Sequence, residues 1–384
     1  MCVTTEKTGI ESKRNYTIEF LRFVFCILII NYHFFSHFLR YESCPKYFIR
    51  GYMGDEFFFM VCGFFLAKSA AKTVDNPVLW NVRSIVKRIR KVAVPYYLTW
   101  CACFVGGHLT SHILGEKSGN LVLDALNSIY ELLFLEMFGF NKGYYSNIVG
   151  WFFSALLIVT FVLGTLVAKY KNGFSLYVAP LIAFLLYGVL SRYFDYLHDP
   201  YSYVPNTFLL KGLVRAFAAV CVGIFLEGIV QNETVQSGIR GLSEKKRKLI
   251  WGADVCLWIV LVSYMIYPFA SNSAALPIQY DFIVVILMMF ALLPVLGFDQ
   301  SFKKFSTVKR IMCRLGTFSF YAYFGQAIFY SFDRIVYRMN INIVCKAVVT
   351  NASVLMISVM LWIISIKLKN MLHMVRKEDT KGFE

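Results

Sequence analysis

Charge is scarce in this chain. Only 16% of its 384 residues are Asp, Glu, Lys or Arg, where a soluble domain carries about 25%. No stretch is polar enough to build a separate soluble domain, and internal repeats and low-complexity linkers are missing too. The ten cysteines include no CxxC pair and no Cys/His cluster at zinc spacing. Most of them, such as Cys26, Cys62, Cys221 and Cys256, fall in apolar runs and act as small hydrophobes, and only Cys44 lies clearly in a connecting loop. A disulfide framework and a metal centre are therefore both unexpected. The first apolar run has no small-residue cleavage site and is too long for a signal-peptide core, so it is expected to stay as an anchor.

What the chain has in abundance is apolar surface: 58% of its residues are apolar and 17% aromatic. Runs of roughly 20 such residues recur from end to end, each long enough to cross about 30 Å of hydrocarbon as a helix. The expected fold is an all-α, polytopic transmembrane bundle forming one domain, with a short basic tail over 370–384. Ten spans are expected, at about 17–39, 48–68, 90–109, 146–168, 174–194, 208–230, 249–269, 279–298, 315–335 and 343–366.

The net charge of +16 raises the question of a nucleic-acid partner, and its distribution argues against one. With the N-terminus inside, the inner segments carry Lys7, Lys13, Arg14, the cluster from Lys68 to Lys91, Lys169, Lys171, the basic runs in 240–248 and 303–314, and the tail. The outer segments carry fewer, among them Arg40, Lys46, Arg50, Lys117, Lys142 and Arg192. That asymmetry is a topology signal and puts both termini in the cytoplasm. The longest outer connection, about 110–145, contains LVLDALNSIYELLFLEMFGF, with Asp124, Glu131 and Glu136 between apolar residues at helical spacing. It reads as an interfacial or re-entrant helix. Tyr144, Tyr145, Tyr201 and Tyr203 are placed either to stack on a sugar or to join an interfacial aromatic belt.

Ionisable residues inside spans face a partner or a water-filled cavity, because contact with lipid is costly. Arg22 and His33 are eleven residues apart, about three turns and roughly 16 Å, so they share a face; His37 follows one turn later. Asp55 and Glu56 lie about two turns into the second span, at a depth comparable to His33, and Arg215 in the sixth span falls near the same level. These residues form either a polar layer that does chemistry or a structural ion-pair network. A carboxylate hydrogen-bonded to one imidazole nitrogen would raise the basicity of the other. The cytoplasmic cluster Lys87, Arg88, Arg90 and Lys91 suits phosphate groups, although topology and anionic headgroups also account for it.

Four stretches together resemble the acyltransferase 3 family, ten-span bacterial membrane enzymes that acylate cell-surface sugars. IEFLRFVFCILIINYHFF resembles the family's opening helix, with Arg22 and His33 on its arginine–ten residues–histidine motif. GYMGDEFFFMVCGFFLAKS resembles its glycine, double-phenylalanine and serine-glycine-phenylalanine signature, with Cys62 where serine is usual. VKRIRKVAVPYYL resembles the basic, proline-terminated start of the third helix, and GWFFSALLI (150–158) a tryptophan-centred helix start. LGTFSFYAYFGQAIF (315–329) is a weaker match, because Gly325-Gln326 stands where the family often has a histidine.

The resemblance implies a bacterial plasma-membrane O-acyltransferase with acetyl-CoA or another acyl-CoA as donor, a carbohydrate acceptor, surrounding membrane lipids, no metal and no nucleic acid. The donor phosphates would meet Lys87, Arg88, Arg90 and Lys91, and Arg22 would contact phosphate or pantetheine. His33 would be the general base, or in a variant mechanism the carrier of an acyl group. Asp55 or Glu56 would orient the imidazole and Arg215 would stabilise developing negative charge. Two other classes stay open. A proton-coupled carrier also uses intramembrane Arg, His and acid residues, but no two-half repeat is visible. A non-catalytic membrane scaffold is the third.

Overall fold

The computed structural model describes residues 14–38, 47–72, 75–117, 119–140, 146–267, 278–298 and 306–381. Lys7, Lys13, Arg40, Cys44, Lys46, Lys142, Tyr144, Tyr145 and part of the basic run 303–314 lie outside these residues, as does the side chain of His37.

Among the described residues the protein is all-helical, apart from one isolated bridge between Tyr203 and Leu210. The helices are α1 (Tyr16–Phe38), α2 (Gly54–Ala70), α3 (Pro77–Ile113), α4 (Leu121–Asn127), α5 (Ile129–Leu132), α6 (Gly150–Gly173), α7 (Ala179–Tyr193), α8 (Lys211–Gln231), α9 (Glu233–Arg240), α10 (Glu244–Ile266), α11 (Ile278–Gly297), α12 (Ser306–Tyr330), α13 (Asp333–Tyr337) and α14 (Ile343–Lys381). Short polar residues begin several of them. Asn76 accepts a hydrogen bond from the Leu79 amide ahead of α3, Asn120 caps α4, Asn232 caps α9 and Ser243 caps α10. These oxygens satisfy first-turn amides that have no partner within the helix.

Seven helical runs are long and apolar enough to cross a membrane by length and composition, which makes this a membrane protein of several apolar helices. Two of the expected spans, 146–168 and 174–194, merge into the continuous run Gly150–Tyr193. That run is broken only at Lys171, where φ is 43°, and by a π-helical turn at Phe174–Val178. Two others fall outside the set, α2 with 17 residues and the tyrosine- and serine-containing α12. Both are central. α2 packs on α8, α6 and α1, and α12 on α14, α1 and α3. A helix surrounded by protein need not be as long or as apolar as one facing lipid. At the other extreme, 83% of the apolar window of α8 is buried, against 22% in α10 and in α14, so α8 is core and α10 and α14 form the rim.

The seam between α2 and α8 is closed by glycine. A Cβ on Gly63 would stand 2.2 Å from the Val220 carbonyl oxygen, and one on Gly223 would stand 2.0 Å from that of Met60. Only glycine lets the two backbones approach so closely.

The basic stretch over Lys87–Lys91 is helical and continuous with the third span, which starts earlier than the expected residue 90. α3 starts at Pro77 and runs 37 residues through Pro95, because the Asn76 cap and Pro77 in the first turn start the helix early. One expectation about a connection needs correction: 121–140 is not a single interfacial helix. It breaks into α4, α5 and a 3₁₀ turn at Glu136–Phe138, and Glu131 and Glu136 turn inward with no exposure. Meanwhile Leu121, Val122, Leu123, Leu126 and Ile129 stay exposed.

Candidate functional site

At the end of the bundle where α1 begins, a cavity of about 250 Å³ brings together Arg22, Arg88 and Lys91, with Glu19 beside them. Arg22 and Glu19 are 3.5 Å apart on α1. Arg88 and Lys91 are three residues apart, so they share a face of α3. Lys87 and Arg90 are exposed on another side of that helix, beside Val82 and Val86. The helical period thus divides the expected phosphate cluster into a pair that lines the cavity, Lys91 itself being exposed, and a pair on the outward face. Beyond the cations the cavity is apolar and aromatic, with walls from Phe58, Phe134, Phe152, Phe153, Phe320 and Tyr323. The Tyr323 hydroxyl donates to the Val149 carbonyl at 2.8 Å. Cys62 also lines this space.

Toward the opposite end, Arg215 is almost fully buried and grips Glu56 with two hydrogen bonds, Nε to Oε1 at 3.1 Å and Nη2 to Oε2 at 3.0 Å. Nη2 also donates to the Tyr52 carbonyl at 3.4 Å, and Asp55 Oδ2 lies 3.9 Å away. The Trp151 ring sits 5.9 Å from the guanidinium. The sequence places Arg215, Asp55 and Glu56 at one level, and the structure brings them into one cluster. Of the two neighbouring acids it is Glu56 that meets Arg215 head-on. Glu56 and Arg215 are thus engaged with each other in this arrangement.

His33 projects to another side. Its ring stands 5.7 Å from that of Tyr330, edge to face, and 5.1 Å from that of Tyr32. The residue turned toward the acid cluster is Tyr32, which meets Tyr52 at 5.5 Å and lies within electrostatic reach of Asp55 and Arg215. Successive residues on a helix are about 100° apart, which carries His33 round toward α12.

Several polar residues near these places carry no motif. Asp281 in the first turn of α11 accepts from the Tyr52 hydroxyl, 2.9 Å from each carboxylate oxygen, and from the Leu197 amide at 3.1 Å. His198 stacks on Tyr196 with ring centres 3.8 Å apart. Burial, then the nearby Lys211 cation, pushes its imidazole down to about 4, so it is neutral at physiological pH. Lys211 is itself buried, its ammonium 4.5 Å from the Phe194 ring. Glu131 accepts from the Ser146 amide at 2.7 Å and the Asn147 amide at 3.3 Å. Burial still pushes its carboxyl up to about 7. Burial, then the neighbouring Glu131 charge, holds Glu136 well above the usual carboxylate range. Asp281, Lys211 and Lys346, all buried, were detectable as charges inside apolar runs. His198, Glu131 and Glu136 needed the loop geometry.

No cluster among the described residues could hold a metal ion. Set against models of known families, curated proteins and solved structures, the chain matches none.

Proposed function

We propose that the chain is an integral-membrane O-acyltransferase that moves an acyl group, acetyl in the simplest case, from acyl-CoA to a carbohydrate hydroxyl. The observation that carries this reading is the cavity with Arg22, Arg88 and Lys91 at one end and an aromatic interior reaching Tyr323. Guanidinium and ammonium groups bind phosphate oxygens by charge-assisted hydrogen bonds. A narrow apolar interior suits the uncharged pantetheine arm and its thioester. The resemblance of the first two helices to acyltransferase 3 enzymes supports the same reading. The proposal includes ten crossings of a bacterial plasma membrane with both termini in the cytoplasm, so that the cationic end faces the compartment that makes acyl-CoA.

In the proposed reaction the acceptor hydroxyl oxygen attacks the thioester carbonyl carbon while His33 takes the hydroxyl proton. The new C–O bond forms, the C–S bond breaks, and the proton passes to the departing thiolate, giving CoA thiol and the ester. Arg215, Glu56 and Asp55 hold α2 against α8, and Tyr52 ties that cluster to α11.

Equilibrium binding of radiolabelled acetyl-CoA to the protein in nanodiscs tests the donor site. Arg22→Gln with Arg88→Gln is expected to weaken affinity by roughly tenfold or more, the loss of charge-assisted contacts. Unchanged affinity overturns the donor site. His33→Ala is expected to abolish acyl transfer with acetyl-CoA binding retained, and transfer at the wild-type rate removes His33 as the base. Saccharide flux across vesicles without any acyl-CoA would favour a carrier instead.

A further inference from the structure

A second cavity, of about 320 Å³, lies between α3, the segment around α4 and the end of α12. Its character is opposite to that of the first: His108, Ser111, Asp124, Ser146, Ser331 and Arg334 line it. Its charged side chains are largely engaged with one another. His108 Nε2 is 3.4 Å from Asp124 Oδ2. Arg334 is ion-paired with Glu116, which also binds Arg338 at 2.6 Å, and Arg334 donates to Ser111 Oγ at 3.1 Å. A site whose lining arginine is already held by a carboxylate is not a free anion site. One that offers hydroxyls, an imidazole and a carboxylate beside aromatic rings suits a neutral polyhydroxylated ring, whose C–H face rests on aromatic surface while its hydroxyls meet the polar groups. Tyr330 and Phe104 supply that surface, the latter 4.9 Å from His108. His108 Nε2 is buried and makes no hydrogen bond among the described residues, although buried polar atoms are ordinarily satisfied.

The two cavities occupy opposite ends of the same helices. Along α12 the first ends at Tyr323 and the second begins at Ala327, one turn and about 6 Å apart. Between them sits Gln326, fully buried, with neither amide atom hydrogen-bonded among the described residues. Tyr330 forms part of the second cavity and also meets the His33 ring.

We propose that this second cavity is a saccharide-binding site and, resting on the acyltransferase reading, the subsite of the acceptor. His108 and Asp124 bind ring hydroxyls there, and the thioester arrives from the far side of Gln326. Gly107 gives a clean way to close it, because a Cβ there meets nothing within 4 Å and the residue lines the cavity.

The test is saturation-transfer NMR of the full-length protein in nanodiscs with methyl glucoside and methyl N-acetylglucosaminide as probes. Ring-proton saturation is expected in the wild type, a fall to the level of empty nanodiscs in Gly107→Leu, and roughly threefold to tenfold weaker binding in His108→Ala. No saturation in the wild type with either glycoside, or saturation undiminished in both variants, overturns the site. Acetyl-CoA binding is read on the same samples. Saccharide binding without donor binding supports the site and removes the acyltransferase reading. Donor binding without saccharide binding removes the site and spares that reading.

Discussion

The seam between α2 and α8 and the seam between α3 and α12 are built on opposite principles. The first is closed. Gly63 and Gly223 bring two backbones into contact, and the buried Arg215 spends its hydrogen bonds on Glu56 and the Tyr52 carbonyl. The second is open. It holds a cavity toward each end and leaves Gln326, Thr99 and His108 with buried polar atoms that have no hydrogen bond among the described residues. A polar group buried in protein is either satisfied and rigid or costly and kept for some other reason. By that criterion the part of the α2–α8 seam around Arg215 is the frame, and the proposed ligand sites lie along the α3–α12 seam, even though the more conspicuous charged cluster lies in the frame.

Arg215 gives the strongest test of that division. Replacing one partner of a buried pair strands the other, at a cost of about 3–5 kcal/mol, whereas replacing both with apolar residues of similar size is often close to neutral. Arg215→Met is therefore expected to lower the thermal midpoint in nanodiscs sharply and cut the folded yield. Adding Glu56→Leu should recover most of the loss. An Arg215→Met protein as stable as the wild type but unable to transfer acyl groups would reverse the comparison and bring chemistry back to the closed seam.

Glycine gives a second contrast at lower cost. Gly223→Ala drives a methyl group into the Met60 carbonyl and is expected to destabilise by about 1–3 kcal/mol, the usual penalty for overpacking. Gly107→Ala, on the open seam with free space around its Cβ, is expected to be neutral or to gain about 0.5–1 kcal/mol from reduced backbone entropy. Melting curves of the two variants side by side read this directly, and equal shifts would mean that both seams are packed alike.

The closed seam was the more legible of the two in the sequence. Arg215, Asp55 and Glu56 stand out as charges in apolar runs, and counting residues from the ends of their spans is enough to set them at one depth, because the rise of a helix is fixed. What depth leaves open is azimuth. Nothing in the local sequence says that Tyr32 rather than His33 turns toward the Arg215 cluster, since that depends on how α1 is rotated against α2 and α12. The open seam was harder still. His108 and Asp124 come from α3 and α4, and they meet only because the chain breaks after Asn127 and folds Glu131 and Glu136 inward. Helical spacing across 121–140 predicts one amphipathic helix, because periodicity records an apolar face and not the turn that interrupts it. The span expected at 48–68 forms a helix of only 17 residues, and a short helix surrounded by protein does not have to match the thickness of lipid.

The smallest expected effect is also the sharpest test of where the open seam begins. Arg88 and Lys91 line the first cavity, while Lys87 and Arg90 sit among Val82, Arg83 and Val86 on the outward face. If the basic stretch served only orientation or anionic headgroups, all four residues would be equivalent, because both uses depend on summed charge near the membrane surface. If the cavity holds the donor phosphates, the four divide by helical phase. Lys87→Gln with Arg90→Gln is expected to change acetyl-CoA affinity by less than about twofold, since these side chains lie off the cavity and act on it only through screened charge. Arg88→Gln with Lys91→Gln removes the same formal charge from the same turn and is expected to weaken binding by roughly tenfold. Matching losses from the two pairs would reduce the site to a diffuse cationic surface. A loss confined to the cavity-lining pair would fix the donor phosphates at the mouth of the cavity, with Arg22 across from them on α1.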